Sequence, residues 1–279
     1  MTSAAHVRGL GKKILAAVGV LTAVPAFAAD LAPPPAPAPI PTPALSDWHF
    51  EAAIDGFAAN LNASVGVRNL PALPVFANTF QVLKHLEGIV PVSVVAYNEN
   101  FIFSASVFWV RVGVNGTFGP LEGAFSGVNA GLTLNETLAT AYGGVRIPTA
   151  SPDWNVYGIL GARYFNVNGT INLQVPVVGF SRSTSQGKDW ADEIVGVKAR
   201  HRIDDKWFID FETDVGGYSG SATAQIYGAV GYKWNQSITT KVGGRVFYVY
   251  YQTAANSGNG SFRFQETLWG PEVDVAYTF

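Results

Sequence analysis

Chemistry in this sequence is confined to charged residues on a largely apolar chain. The 279 residues include no Cys, which removes disulfides, thiolate metal sites and Cys nucleophiles. No phosphate-binding, dinucleotide-binding, zinc-protease or serine-hydrolase spacing occurs, so neither a cofactor nor a metal is expected. Outside the N-terminal segment the only histidines are His49, His85 and His201. His85 lies two residues from Glu87, and Asp189, Asp192, Glu193 and Asp214 are the acids nearest the expected outer rim. A His–carboxylate base could activate water or a Ser there, which is the route to a protease or lipid-modifying enzyme. Loop His and Glu residues are more commonly solvated surface, and the expectation is a protein that is not an enzyme.

The remaining charges alternate with apolar residues at a period of two, the period at which a strand presents opposite faces. Glu51 and Asp55 alternate with Phe50, Ala52 and Ile54. Asp210, Glu212 and Asp214 alternate with Trp207, Ile209, Phe211 and Val215. Glu272 and Asp274 alternate with Val273, Val275, Tyr277 and Phe279, and Glu266 lies earlier on the same strand. Basic residues do the same: Arg146 and Arg163, then Lys198, Arg200 and Arg202, then Lys233, Lys241 and Arg245. Acidic and basic sets of eight each, segregated by strand, predict a ladder of cross-strand pairs on one shared face. Unpaired, such charges would be costly to confine; paired, they are tolerated.

The elements that carry them are long strands. Strands are expected at 48–67, 89–97, 101–115, to 147, 154–174, 189–203, 207–215, 222–234, 238–252 and 262–279. The connections alternate between short (98–100, 148–153, 204–205, 235–237) and longer (68–88, 116–129, 175–188, 216–221, 253–262). Strands of this length exceed the five or six residues usual in a β-sandwich and suit the 9–11 needed to cross a membrane. The fold class expected is therefore all-β: a closed antiparallel transmembrane β-barrel of about ten strands, with eight as the alternative count, spanning 48–279. In such barrels short turns face the periplasm and long loops face outward. Phe76, Phe80, Leu83 and Leu86 have helical spacing, predicting a short helix in the first external loop, lying in or over the lumen. Trp207, Trp234, Tyr232, Tyr277 and Phe279 fall near short-turn ends, and Trp190, Trp269, Tyr218, Tyr248 and Tyr250 near long-loop ends, as interface girdles would.

Charged residues make up 14% of the chain, well below the ~25% usual in soluble domains. Residues 1–28 read as a signal peptide: Arg8, Lys12 and Lys13, an apolar run from Ile14 to Val24, and Ala26-Phe27-Ala28 as cleavage site. Residues 29–47 form an Ala/Pro-rich disordered periplasmic linker. Loss of the signal leaves 15 Lys+Arg against 20 Asp+Glu, an acidic exported chain without a nucleic-acid footprint. No later run reaches the ~18 apolar residues of a spanning helix.

The cleaved signal, the Ala29-Asp-Leu-Ala-Pro-Pro-Pro35 start and the final Tyr277-Thr-Phe279 resemble outer-membrane β-barrel proteins of alphaproteobacteria, of the OmpA-type and immunogenic porin-like groups. Asp214-Val-Gly-Gly-Tyr-Ser-Gly-Ser-Ala222 is similar to an Asp-x-Gly-Gly-Phe-x-x-Gly-Ser segment of such barrels. The resemblance implies location in the cell outer membrane and carries over no catalytic residue. It also makes Val273, Val275, Tyr277 and Phe279 an assembly signal for the barrel-assembly machinery. Outer-membrane lipid and lipopolysaccharide are the expected surroundings. The function expected is structural, or that of a small porin-like channel for polar solutes. An enzyme or a surface adhesin acting through external loops is the alternative. On closure, the last strand should bring Glu272 and Asp274 against Glu51 and Asp55, a seam of negative charge that Lys241 or Arg245 must reach.

Overall fold

The computed structural model describes residues 48–67, 73–116, 129–175, 179–253 and 261–279; the signal and linker regions expected at 1–47 lie outside them. Twelve strands and one helix follow in order. They are β1 (His49–Phe57), β2 (Asn60–Val67), β3 (Leu73–Ala77), α1 (Thr79–Lys84), β4 (Leu86–Tyr97), β5 (Phe101–Gly116), β6 (Asn129–Ile147), β7 (Trp154–Val175), β8 (Phe180–Arg202), β9 (Trp207–Gly217), β10 (Ser221–Lys233), β11 (Ile238–Gln252) and β12 (Phe262–Thr278). From β4 to β12 each strand pairs antiparallel with the next, and β1 pairs with both β4 and β12, closing the sheet on itself.

The barrel has ten wall strands because two of them are split. β1 and β2 share one register along β12, with Phe57 opposite Glu272 and Asn60 opposite Trp269. The break at Ala58–Ala59 faces Pro271, which has no N–H to give. The Ala58 N–H still donates to the Pro271 carbonyl (2.9 Å). The orphaned Ala58 carbonyl instead accepts from Thr79 Oγ1 (3.1 Å). Gly270 is required beside it, since a Cβ there would lie 2.2 Å from the Ala58 oxygen.

The second wall strand is β3 plus β4. Paired residue numbers sum to 138 along β2–β3 and to 146 along β1–β4, so this strand carries eight extra residues, and α1 lies within them. Asn78 caps the helix, accepting from Gln81 N–H (3.0 Å), while Gln81 Oε1 accepts from Asn78 N–H (2.9 Å), a reciprocal capping box. The helix expected from Phe76, Phe80 and Leu83 is present, but not in or over the lumen. None of its residues is buried, Phe80 is 82% exposed and Leu83 54%.

Three of the short turns are built alike. Asn98, Asp204 and Asn235 each accept two backbone N–H bonds from the residues that follow, at 2.7–2.9 Å. Those bonds hold the Asp204 carboxyl below its ordinary value. At the other end the structure departs from the expected loop at 175–188. β7 and β8 run to 22 and 23 residues, and Phe180 to Lys188 is strand. At ~3.3 Å per residue these are much longer than their neighbours β9 and β10.

Outward side chains form a belt on the wall strands. Ile54, Leu160, Val195, Val215, Ile226, Val242 and Val275 are all more than half exposed. At the short-turn end the belt is bordered by aromatics: Phe50 stacks on Phe279 (centroids 5.9 Å), Trp154 on His201 (4.5 Å) and Trp207 meets Tyr232 edge-on (4.7 Å). These side chains leave a large apolar area on the outer face of the barrel.

Candidate functional site: the barrel lumen

Two layers fill the lumen. The layer nearer the short turns holds the charges. Arg200 clasps Asp210 through Nε and Nη2 (2.6 and 2.7 Å), and Lys198 reaches Glu212 (2.5 Å). Arg245 clasps Glu272 (2.6 and 2.7 Å) and donates through Nη1 to Gln225 (2.8 Å). Glu212 also accepts from Tyr142 Oη and Gln225 Nε2, both at 2.8 Å. β8 supplies the cations and β9 the anions; β11 supplies cations and β12 and β1 anions. Bidentate guanidinium–carboxylate forks of this kind combine charge with fixed geometry.

The seam is where the registers put it. Asp55 stands opposite Asp274 across the β1–β12 ladder, and Lys241 Nζ lies 3.6 Å from both Glu51 Oε1 and Asp274 Oδ2. Tyr227 Oη donates to Asp274 Oδ2 (2.6 Å), and Ser93 Oγ donates to Asp55 (3.2 Å). A cavity of about 330 Å³ occupies this layer, running from Asn98, Glu99 and Arg146 at the short turns to Phe108, Leu138, Phe247 and Leu268.

Those last residues begin the second layer. Phe165, Val167, Val249, Phe262 and Phe264 are completely or almost completely buried, packed with Trp190, Phe247, Leu134 and Val65 across the lumen. Trp190 stacks on Phe165 (4.8 Å) and Tyr251 (4.4 Å). This aromatic plug lies in the lumen on the long-loop side. At its lower boundary lies Arg163, 1% exposed, forked onto Asp214 (2.8 and 2.9 Å), bonded to Thr140 and Thr223, its guanidinium 5.2 Å from the Phe247 ring. Inside the plug, Glu136 and Glu266 are both buried, and Glu266 Oε2 has no hydrogen-bond partner.

The sequence-derived set is therefore not one uniform network. Glu51, Asp55, Lys198, Arg200, Asp210, Glu212, Lys241, Arg245, Glu272 and Asp274 line the cavity. Arg163 and Asp214 form a separate buried pair, and Glu266 belongs to the plug. Arg146 is at the cavity mouth, donating to the Glu99 carbonyl (3.4 Å). Arg202 lies outside the lumen proper, exposed and bonded to Asp153 in the turn, which keeps the Asp153 carboxyl below its ordinary value. Lys233 is exposed at the end of β10 with its Nζ 6.0 Å from the Phe208 ring. Val273, Val275, Tyr277 and Phe279 all face outward and are exposed.

Sequence reasoning missed Glu136, Tyr142, Tyr227 and Gln225, and placed three residues wrongly. Trp190 is not in an interface girdle but in the plug, and Asp192 and Asp214 are not rim acids but buried, Asp192 accepting from Ser221 Oγ and Asp214 from Arg163. The parity of β8 could have revealed Trp190 and Asp192, since they share a face with Lys198 and Arg200. The candidate base at His85 is not assembled. His85 closes α1, its Nδ1 2.9 Å from the Gln81 carbonyl, while Glu87 is held by Arg111 (2.6 Å). His49 stacks on Tyr97 (5.3 Å), far from either. Among the described residues no His, Asp and Glu cluster is arranged to hold a metal.

No family model and no curated protein matches the chain. Solved structures that resemble it include Ail, the attachment invasion locus protein of Yersinia pestis (12% identity, 83% of this chain and 98% of that one, TM-score 0.34). The translocator domain of autotransporter NalP from Neisseria meningitidis is another (13%, 82% and 88%, TM-score 0.37), and so is Neisserial surface protein A (14%, 82% and 96%, TM-score 0.30). At these similarities no ligand or partner transfers from them.

Proposed function

We propose that this protein is an integral β-barrel of the Gram-negative outer membrane, closed to ions at rest, with a charged cup open toward the periplasm. The membrane placement is supported by the outward apolar belt and its aromatic border. The closed state is supported by one observation above all: the plug residues Phe165, Val167, Val249 and Phe264 have no solvent exposure. Lipid and lipopolysaccharide surround the belt. The outward row of Val273 to Phe279 on β12 serves the barrel-assembly machinery. No catalytic role is assigned, because the candidate His and Glu groups are engaged elsewhere.

The test is planar-bilayer recording of the purified barrel. The wild type is expected to show no steady conductance, and Phe165→Ala combined with Phe264→Ala to introduce it. Stable conductance steps in the wild type would instead establish the second reading, a small channel for polar solutes gated by the plug. That reading draws on the cup itself, whose opposed acidic and basic strands could orient a zwitterion.

A further inference from the structure

Within the ring of wall strands, the ladder between β1 and β4 stops short among the described residues. β1 and β4 pair from His49 and Tyr97 up to Ile54 and Val92, and there the ladder ends. Above it, Asp55–Phe57 are paired only to β12, and the start of β4, from Leu86 to Pro91, only to β5. Pro91 contributes to the break by lacking an N–H. The eight-residue insertion contributes the rest, because α1 crosses where the wall strand should continue. Thr79 at its start bonds to Ala58 and Asn60 on the first wall strand, while the His85 carbonyl at its end accepts from Gly113 N–H on β5 (3.1 Å). A six-residue helix covers about 9 Å, close to two interstrand spacings, so α1 bridges the gap as a lintel.

Beneath the lintel is a slot with β1 on one side and β4 on the other. Ile89 and Val110 are register partners on the lumen face, yet Ile89 is 37% exposed and Val110 8%. The cavity reaches the slot from within, since Asp55 and Phe57 from one flank and Pro91 and Ser93 from the other all line it. Every strand residue lining the cavity has lumen parity except Val107, which stands on the lipid face beside Val92 at the slot's foot. Outside, the lip is apolar, with Phe80, Leu83 and Val90 exposed. The slot begins six rungs above the short turns, roughly 15–20 Å along the barrel axis and past the middle of a ~25 Å apolar band.

Polarity inside the slot is graded. Phe57, Phe108 and Leu138 face the plug side, and Asp55 and Asp274 the other. Carboxylates lining the cavity outnumber its Lys and Arg side chains seven to five, and the excess is at this seam. Asp274 is 2% exposed, its Oδ1 has no hydrogen-bond partner, and the nearest cation, Lys241, is shared with Glu51 at 3.6 Å. We propose that slot and cavity together bind a single-chain amphiphile with a cationic amine head, admitted sideways from the outer leaflet. The ammonium would lie between Asp55 and Asp274, and the chain along Phe57, Phe108 and Leu138 with its end in the slot.

This rests on the membrane placement proposed above, and the experiment separates the two. The chain has no Cys, so Ile89→Cys and Val110→Cys each carry a single thiol for a lipid-soluble maleimide in phosphatidylcholine vesicles. Folding of each variant is read from gel migration with and without boiling. Ile89→Cys is expected to label at least tenfold faster than Val110→Cys. Dodecylamine is expected to slow that labelling severalfold at concentrations where dodecyl sulfate and dodecanol do not, and Asp55→Asn to abolish the difference. A folded Ile89→Cys barrel that labels no faster than Val110→Cys overturns the slot. Equal protection by all three amphiphiles, or protection unchanged in Asp55→Asn, overturns the cationic site. A wild-type chain with no heat-modifiable migration sinks the membrane barrel itself.

Discussion

The two layers of the lumen solve the same packing problem with opposite chemistry. Toward the short turns, side chains from β8, β9, β11, β12 and β1 fill space with forked ion pairs and leave a cavity. Toward the long loops, aromatic residues from β7, β8, β11 and β12 fill it completely. The difference lies in what each layer must tolerate. Ion pairs in contact with water in a cup keep part of their solvation, as the 26% exposure of the Arg200 and Arg245 side chains indicates. A dry plug has no such reserve, and its few polar groups are left short of partners, as Trp190 Nε1 and Glu266 Oε2 are.

Arg163 and Asp214 sit at the border and should be the most sensitive point. Arg163→Ala leaves the Asp214 carboxylate buried without a counter-charge, a change that costs ~3–5 kcal/mol in buried pairs. Urea unfolding of the refolded barrel measures it, and the double replacement Arg163→Met with Asp214→Leu is expected to recover most of the loss. If Arg200→Ala, in the wet layer, were equally damaging, the distinction between layers would fail. Phe165→Ala, within the plug, is expected to cost about 3 kcal/mol through cavity formation. Smaller is the effect at the strand break: Thr79→Val orphans the Ala58 carbonyl, for ~1–2 kcal/mol. The smallest belongs to Arg202 and Asp153 at the exposed turn, where Arg202→Ala should leave the urea midpoint unmoved within error at neutral pH. Any contribution of that pair is present above the ordinary carboxyl value of 3.8, because the Asp153 carboxyl is held below it, and fades as pH falls further. A midpoint that rose on acidification would contradict that sign.

Much of this was legible from period-two alternation. β9 and β12 declare their faces because apolar residues recur at every second position while the cup accepts Asp210, Glu212, Glu272 and Asp274 at the others. The same alternation fails where both faces are apolar. On β6 a lone Glu136 stands between Leu134 and Leu138, and on β7 and β8 Phe165 and Trp190 are placed inward only by the parity they share with Arg163 and with Lys198. Helical spacing located α1 but not its side of the wall, because amphipathicity cannot tell an aqueous lumen from lipid.

The sequence by itself determined an antiparallel barrel of about ten strands, its short turns, the outward belt and the candidate members of the charge ladder. These depend on local geometry and on the identity of the surrounding solvent. Only the tertiary structure decided which carboxylate meets which guanidinium, which aromatics turn inward to pack in the lumen, and where the wall parts. Those depend on strand stagger around a closed circle. A ladder that must return to its first strand converts an eight-residue insertion and Pro91 into a slot that no local pattern encodes.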